Sequence, residues 1–402
     1  MDAQSETSLT GADLGFAPVP VEPCVSSDYF VAEREQLFRK VWMNLGHESE
    51  VPNPGDYVVK PVPTLGVEVL LVRNREGKLG AYYNVCTHRN NKVVRDSTKG
   101  NCSGFTCGFH GWRYDLQGSL QHVPDEVQFI DFDKRDYGLR PLALDTWEKL
   151  IFVHPSHKPE QSLRQWLGEV DTNIAGGPLT NLTPTARFQA EVAVNWKVFS
   201  DAFCEAYHVG MIHRRSVAGS FISPANPHCH LAGIRLYRHH SIVSVLGGNP
   251  NHKPTPTELF VGKFGGGSYA KGLGGEFDHL PKGINPERHP SWNFDIVNVF
   301  PNFAIHIGAD FAYSYNFWPV AADRTAWDVV IYQTTPKNWS EAVAQNYFRV
   351  LLRDTLREDV NTTEATQQNL NAGIVTSMPL SKQEVVLRHR YKVVERWLEG
   401  DR

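Results

Sequence analysis

Cysteine is scarce. The 402 residues hold six, at Cys24, Cys86, Cys102, Cys107, Cys204 and Cys229. So few thiols in so long a chain do not form a disulfide scaffold, and the expected compartment is cytoplasmic. The sequence has no dense run of Lys or Arg. Lys plus Arg number 40 against 44 Asp plus Glu, a formal net charge of −4, so neither charge nor its distribution suggests nucleic acid as a partner. No apolar run reaches membrane-spanning length, and the longest, GVEVLLV, reads as a strand. The opening MDAQSETSLTGADLGF lacks a basic region and an apolar core, so no secretory leader is expected. No Gly-x-Gly-x-x-Gly fingerprint is present, and nicotinamide binding by this chain is not expected. FGGGSYAKGLGG, residues 264–275, lacks the Lys-Ser/Thr ending of a phosphate loop and reads as a mobile surface loop.

What remains is a globular composition, 41% hydrophobic and 21% charged, with 17 histidines. The length suggests about two domains. Residues 1–40 read as an arm and a helix, about 28–42, that packs on the C-terminal domain. Ser26 or Ser27 is the candidate cap. Residues 41–157 carry short β-rich runs (DYVVKPV, VEVLLVRN, LGAYYNV, WRYDL, KLIFVHP) separated by Gly, Pro and Asn turns, an all-β module. Residues 158–402 mix longer strands with helices near 162–174, from Trp196, over 340–371 and over 382–399. IRLYRHHSIVSVL reads there as one strand. Antiparallel strands followed by long helices indicate an α+β class.

The β module holds NVCTHRNN (84–91) and FTCGFHGW (105–112). Cys86 and His88 form C-x-H, and Cys107 and His110 form C-x-x-H. Two thiolates and two imidazoles could bind a structural zinc, but C-x-H is tighter than finger spacing. Two facing β-loops of this kind instead place two sulfurs on one iron and two nitrogens on another, the Rieske [2Fe–2S] arrangement. Further on, NWKVFSDAFCEAYHVGMIH (195–213) reads as a helix with Glu205 and His208 on one face. His213 lies about 140° further round a regular helix, so it joins the same metal only if the helix bends or ends near Gly210. Two His and a distant carboxylate form the facial triad of non-haem Fe(II) sites. The 356–369 segment offers Asp359, with Glu358 and Asp354 as neighbours. The alternative is an ordinary helix whose His residues bind nothing.

Residues 84–112 together with Asn195, Trp196, Lys197, Glu205, Tyr207, His208 and His213 resemble the Rieske non-haem iron oxygenase family, specifically the alpha or terminal oxygenase subunit of ring-hydroxylating systems. The resemblance covers residues 40–375. It implies an N-terminal Rieske [2Fe–2S] domain (41–157) and a C-terminal helix-grip catalytic domain (158–402), an antiparallel sheet with long helices. Cys86, His88, Cys107 and His110 would hold the cluster. His208, His213 and Asp359 would hold mononuclear Fe(II). No disulfide joins the ligand loops, and few polar donors are expected at the cluster sulfurs, which implies a low Rieske potential. Glu205 would bridge His208 to His110 of a neighbouring subunit, where the best-known aromatic dioxygenases use Asp.

The same resemblance implies a separate NAD(P)H-dependent reductase, possibly with a ferredoxin, and a homotrimer or α3β3 assembly, with no membrane or nucleic-acid partner. The expected substrate is a hydrophobic aromatic or polycyclic compound, hydroxylated with O₂. The alternative is a monooxygenase or demethylase acting on a quaternary amine or a methoxy or N-methyl group. A third reading, from another class, is a pure electron carrier. Asp201 is expected near the iron or substrate. Phe199, Phe203 and Met211, with strand residues Phe294, Val297, Phe303 and His306, are candidate pocket positions.

Overall fold

A computed structural model describes residues 14–265, 277, 278 and 280–400. Most of the glycine-rich segment and residues 1–13 lie outside the described residues. The chain forms two units: Phe38–Trp166, and the residues up to Leu37 together with those from Leu167 onward.

From Met43 to His154 the Phe38–Trp166 unit is built on β-strands with short 3-10 turns between them, the β architecture expected there. Its strands are β1 Met43–His47, β2 Asp56–Val62, β3 Val67–Arg73, β4 Leu79–Tyr83, β5 Lys99–Asn101, β6 Phe105–Thr106, β7 Arg113–Tyr114, β8 Leu120–His122, β9 Ala143–Trp147 and β10 Leu150–His154. They form sheets ordered β4-β3-β2-β5, β9-β10-β1 and β6-β7-β8. Val59, Leu70 and Val72 pack inward with Phe105, Trp112 and Tyr114, and Cys86 and Cys107 belong to the same buried cluster. One ligand loop follows β4, and the other joins β6 to β7.

The second unit is built on one seven-stranded antiparallel sheet. Its strands are β11 Thr183–Val192, β12 Ala232–Leu236, β13 Ser241–Leu246, β14 Trp292–Val299, β15 Phe303–Ile307, β16 Phe311–Ala321 and β17 Arg324–Gln333, ordered β11-β17-β16-β15-β14-β13-β12. The run expected to be one strand, IRLYRHHSIVSVL, is a hairpin. Tyr237 N–H donates to His240 O (2.9 Å) across the turn, and β12 pairs back on β13. The register puts His306 opposite both Ile296 and Tyr313. By strand alternation, Phe294, His306, Tyr313 and Tyr315 share one face of the sheet, while Val297 and Phe303 lie on the other.

The helices that position the second site are α1 Ser27–Ala32, α2 Trp196–Asp201, α3 Val209–Ile212, α4 Trp339–Asn371 and α5 Val385–Glu399. Ser26 caps α1, accepting from Tyr29 N–H. The helix expected over 28–42 then widens to a π-turn at Glu33–Leu37 and tightens to a 3-10 turn at Phe38–Lys40. The 162–174 helix is two pieces, Leu163–Leu167 and Glu169–Ile174, interrupted at Gly168, whose φ of 52° is left-handed. Helix α4 is capped by Asn338, whose side chain accepts from Glu341 N–H (3.0 Å). Its buried stripe runs Phe348, Leu352, Leu356, Asp359, Thr363, Gln367 at helical spacing. Phe348 packs on Phe311 of the sheet with ring centroids 5.2 Å apart.

The Asn195-Trp196-Lys197 triplet ties this unit together. Asn195 caps α2 by accepting from Lys197 N–H (3.0 Å), and its own N–H donates to Gln367 Oε1 of α4 (2.9 Å). Trp196 Nε1–H (2.9 Å) and Lys197 Nζ (2.6 Å) both donate to the Glu33 carboxylate. Lys197 and Glu33 are fully buried. Burial pushes the Glu33 carboxyl up from its ordinary range, against the pull of Lys197. Removing one partner strands a charge in the interior. Lys197→Met is therefore expected to cost about 3–5 kcal/mol of stability in denaturant titration. The double variant Lys197→Met, Glu33→Gln should recover more than half of that loss. A single-variant cost below about 1 kcal/mol would show that the pair does not hold this unit together.

Candidate metal centres

The two ligand loops are the same turn. Cys86 N–H donates to Asn91 O (2.7 Å) and Asn90 N–H returns to Cys86 O (3.0 Å); Cys107 N–H donates to Trp112 O (2.8 Å) and Gly111 N–H returns to Cys107 O (3.0 Å). Both loops need a left-handed residue four after the Cys, and Asn90 (φ 58°) and Gly111 (φ 75°) supply it. His88 is two after its Cys and His110 three after, yet their rings meet edge to face at 4.6 Å. His88 stacks on Trp112 (4.7 Å), and His110 lies against Phe109 at a tilt of 35° (3.8 Å). His88 Nδ1 is buried with no hydrogen-bond partner, as a ring nitrogen meant for a metal would be.

Burial raises the Cys86 thiol. Burial acts the same way on Cys107, but the backbone N–H groups of Phe109 and His110 and the Asn91 amide bring that thiol below its ordinary value. Tyr114 Oη lies 3.2 Å from Cys86 Sγ, and Asn91 Nδ2 lies 3.7 Å from Cys107 Sγ. Nothing local in the sequence marks these two polar neighbours, and the expectation of few donors at the sulfurs holds only in part. Two thiols and two imidazoles converging this way fit a Rieske cluster.

In the second unit, residues 195–213 are not one helix. Helix α2 ends at Asp201, the chain turns through 202–208, and α3 spans only Val209–Ile212. His208 sits at the N-cap of α3 and His213 at its C-cap. One helical turn separates the two His, and it ends at His213 rather than at Gly210; there the C-cap backbone (φ −95°, ψ 18°) leaves the helical path.

His208 Nε2 and His213 Nε2 lie 3.2 Å apart. Asp359 Oδ1 is 3.3 Å from His213 Nε2 and 3.6 Å from His208 Nε2. Three donors about 2.1 Å from one ion at right angles would lie about 3 Å apart. Asp359 is buried on the α4 stripe, and its Oδ1 has no hydrogen-bond partner. A buried, unpaired carboxylate oxygen facing two imidazole nitrogens fits a divalent metal. Among the described residues, His208, His213 and Asp359 form a group able to hold such an ion.

Each His is oriented from behind by a carboxylate. His208 Nδ1 bonds Glu205 Oε1, and Glu205 Oε2 accepts from Tyr207 N–H and from His208 N–H. His213 Nδ1 lies 2.7 Å from Glu358 Oε2, which also accepts from Ser216 Oγ (2.7 Å). Both rings thus keep the proton on Nδ1 and turn a lone pair on Nε2 inward. Burial works against the charged form of His208, but Glu205 more than offsets this and holds its pKa above the ordinary value. Asp354, the other carboxylate considered for the metal, is exposed and paired with Arg353.

Asp201 is engaged by α5. Arg390 Nη1 of α5 lies 3.0 Å from its Oδ1, and Tyr391 donates to its Oδ2 (3.1 Å). Burial pushes its carboxyl up to about 6, with Arg390 opposing. Met211 is 74% exposed. Phe203 packs with Tyr315 (4.8 Å), and Phe199, Phe203 and Trp327 touch one another. His306 Nε2–H donates to Phe203 O (3.2 Å), so its Nδ1 accepts from Tyr313 Oη (3.0 Å). Burial pushes His306 down to about 3, and the ring is neutral.

Residues 41–143 match the Rieske [2Fe-2S] domain, and residues 179–400 match the ring hydroxylating alpha subunit (catalytic domain). The carnitine monooxygenase oxygenase subunit of Acinetobacter baumannii is 32% identical over 189 residues, 47% of this chain and 50% of that protein. The chlorobenzene dioxygenase subunit alpha of Cupriavidus sp. (strain PS12) is 34% identical over 192 residues, 45% of this chain and 41% of that protein. The chain thus spans about half the length of the curated relatives it matches. Among solved structures, a quaternary ammonium Rieske monooxygenase matches with TM-score 0.75 at 22% identity, over 97% of this chain and 99% of that one. Naphthalene 1,2-dioxygenase from Rhodococcus sp. matches with TM-score 0.72 at 22% identity, over 96% and 95%. At that identity the two structures establish a shared fold. With a Rieske domain ahead of a matching catalytic domain, the chain belongs to the ring-hydroxylating alpha subunit family of Rieske oxygenases.

Proposed function

We propose that this chain is the terminal oxygenase of a multicomponent Rieske system, hydroxylating a neutral, hydrophobic aromatic or polycyclic compound with O₂ and electrons from NAD(P)H through a separate reductase, with or without a ferredoxin. The observation that carries the reading is the convergence of His208 Nε2, His213 Nε2 and Asp359 Oδ1, with the buried Asp359 oxygen otherwise unpartnered. When bound, the cluster supplies single electrons and the mononuclear iron supplies oxygen activation. The residues around the iron site do the rest. Glu205 and Glu358 fix the ring orientation and tautomer of the two His. Phe203, Phe294, Tyr313 and Tyr315 are buried and joined by ring contacts, and in this reading they are the apolar wall that would exclude water from the reaction. Glu205, already on His208, is also the candidate bridge to His110 of a neighbouring copy, which favours a ring assembly such as a homotrimer or α3β3.

The choice of a neutral substrate rests on charge. Asp201, the carboxylate that could have faced a cation, is engaged by Arg390 and Tyr391, and His306 in the wall is neutral. A second reading has its own support. A relative among the matches is named a carnitine monooxygenase, and tyrosine faces such as Tyr313 and Tyr315 can hold a quaternary ammonium. That reading makes the chain a monooxygenase or demethylase.

Iron content and product mass under ¹⁸O₂ test both, using the purified chain, a surrogate reductase and a panel of arenes, polycyclics and quaternary amines. About three irons per chain and two labelled atoms on a ring are expected. One labelled atom, or formaldehyde from a lost methyl, would select the second reading. About two irons and no oxygen consumption with any substrate would leave an electron carrier instead.

A further inference from the structure

We propose that Glu358 is a positioning residue for the iron site: it holds the His213 ring by its Nδ1–H, and Ser216 in turn holds Glu358. The inference rests on the reading of His208, His213 and Asp359 as a metal site. Glu358 directly precedes Asp359 on α4, but the helix aims the two carboxylates apart. Asp359 lies on the buried stripe and presents Oδ1 to both Nε2 atoms. Glu358 lies on the flank, with its side chain 29% exposed, and reaches His213 from behind at 2.7 Å. Ser216, three residues past His213, donates to the same Glu358 oxygen at 2.7 Å. One carboxylate oxygen thus receives two donors from the segment that carries the ligand. A charged acceptor on Nδ1–H fixes the tautomer and raises the basicity of Nε2.

The site is consequently two-sided. Glu205 orients His208 from within the 202–208 turn, where its side chain is 10% exposed. Glu358 orients His213 from a different element, 145 residues away. Helix α4 therefore supplies both a ligand, Asp359, and the brace of a second ligand, so a shift of α4 would move both together. The sequence holds a faint signal for this: an acidic pair on α4, and a Ser one turn after the second His.

The test is Co(II) titration of the iron-depleted, otherwise intact protein, read by the visible ligand-field bands and by the dissociation constant. It needs neither substrate nor reductase. In the unaltered protein Co(II) should bind, and Asp359→Ala should abolish the bands. Glu358→Ala should weaken binding about 10- to 100-fold and alter the bands. Glu358→Gln, which keeps an acceptor and the side-chain shape, should recover at least half of that loss on a logarithmic scale. Ser216→Ala should cost about threefold or less, since it removes one of two donors to an oxygen that keeps its bond to His213. A merely structural glutamate would shift the melting temperature and leave affinity and bands unchanged, and that result would overturn the proposal. If Glu358→Ala does not fold, Glu358→Gln decides alone: the proposal requires a weakened affinity of between about twofold and tenfold, and unchanged binding overturns it. If the unaltered protein shows no bands that depend on Asp359, the metal-site reading fails and the proposal falls with it.

Discussion

Asp359→Ala is expected to lower iron from about three per chain to about two and to abolish substrate-dependent oxygen consumption. The cluster ligands belong to the other unit, so the visible spectrum and reducibility of the Rieske centre should be unchanged. The size of the effect follows from the chemistry of the three donors. Disturbing a residue behind a ligand costs about 10- to 100-fold in metal affinity, and removing a ligand, especially the only anionic one of the three, costs more. Asp359→Asn sharpens the test, because it preserves volume and one oxygen but removes the charge, and it should still lose most of the iron. Stability should move the other way. In the metal-free protein Asp359 Oδ1 is a buried acceptor without a partner, and such a group costs folding free energy. The metal-free Asn variant should therefore unfold no more easily than the metal-free parent. Iron that stays near three per chain in the Ala variant would remove Asp359 from the ligand set and return Glu358 to consideration.

How much of this was legible beforehand differs between the two centres. The cluster loops could be read outright, because C-x-H and C-x-x-H constrain local turns and the turns decide the geometry. The positive-φ demand at Asn90 and Gly111 is local in the same way. The β module was legible from alternation and turn residues, and DYVVKPV forms a strand over the predicted residues. The iron segment departs from the single helix expected of it. Its residues carry good helical spacing, and only tertiary contacts, with Cys204 Sγ against Asn298 Oδ1 (3.0 Å) and Arg390 on Ser200 and Asp201, show why the chain leaves the helix at Ala202. Asp201 ends α2 with Arg390 and Tyr391 on its carboxylate, partners on α5 that its spacing from Glu205 does not reveal. The RHHS turn lacks Gly, Pro or Asn, so nothing local announced the β12–β13 hairpin. The choice among Asp354, Glu358 and Asp359 could have been made from the sequence. Asp359 is in phase with Phe348, Leu352 and Leu356, whereas Asp354 and Glu358 are out of phase. The brace on His213 leaves only a faint trace, the acidic pair on α4 and Ser216 one turn past His213, since it depends on where α4 lies relative to α3.

Glu205→Ala is expected to leave both metal sites filled and the Rieske cluster reducible, yet to slow turnover by about 100-fold or more. Filling is expected because the loss falls on one His only. His213 keeps Glu358 and Asp359 keeps its place on α4, so iron affinity should drop about 10- to 100-fold, which excess Fe(II) overcomes. Turnover is expected to collapse for a different reason. Glu205 is the carboxylate on the outer nitrogen of an iron ligand, in a turn flanked by Tyr207, which is 58% exposed. Its carboxylate already takes His208 Nδ1–H, Tyr207 N–H and His208 N–H, and the proposed bridge adds a donor from His110 of a neighbouring copy. The measurement is the rate at which a pre-reduced cluster is reoxidised when substrate and O₂ are added in a single turnover. Ala should slow that rate, and Gln, which retains an acceptor for His208 Nδ1–H but not the charge, should fall between Ala and the parent. Iron loss and bridge loss separate cleanly: the first is reversed by added Fe(II), the second is not. Reoxidation at the parental rate in an iron-replete Glu205→Ala protein would remove the bridging role and leave Glu205 only as the residue that orients His208.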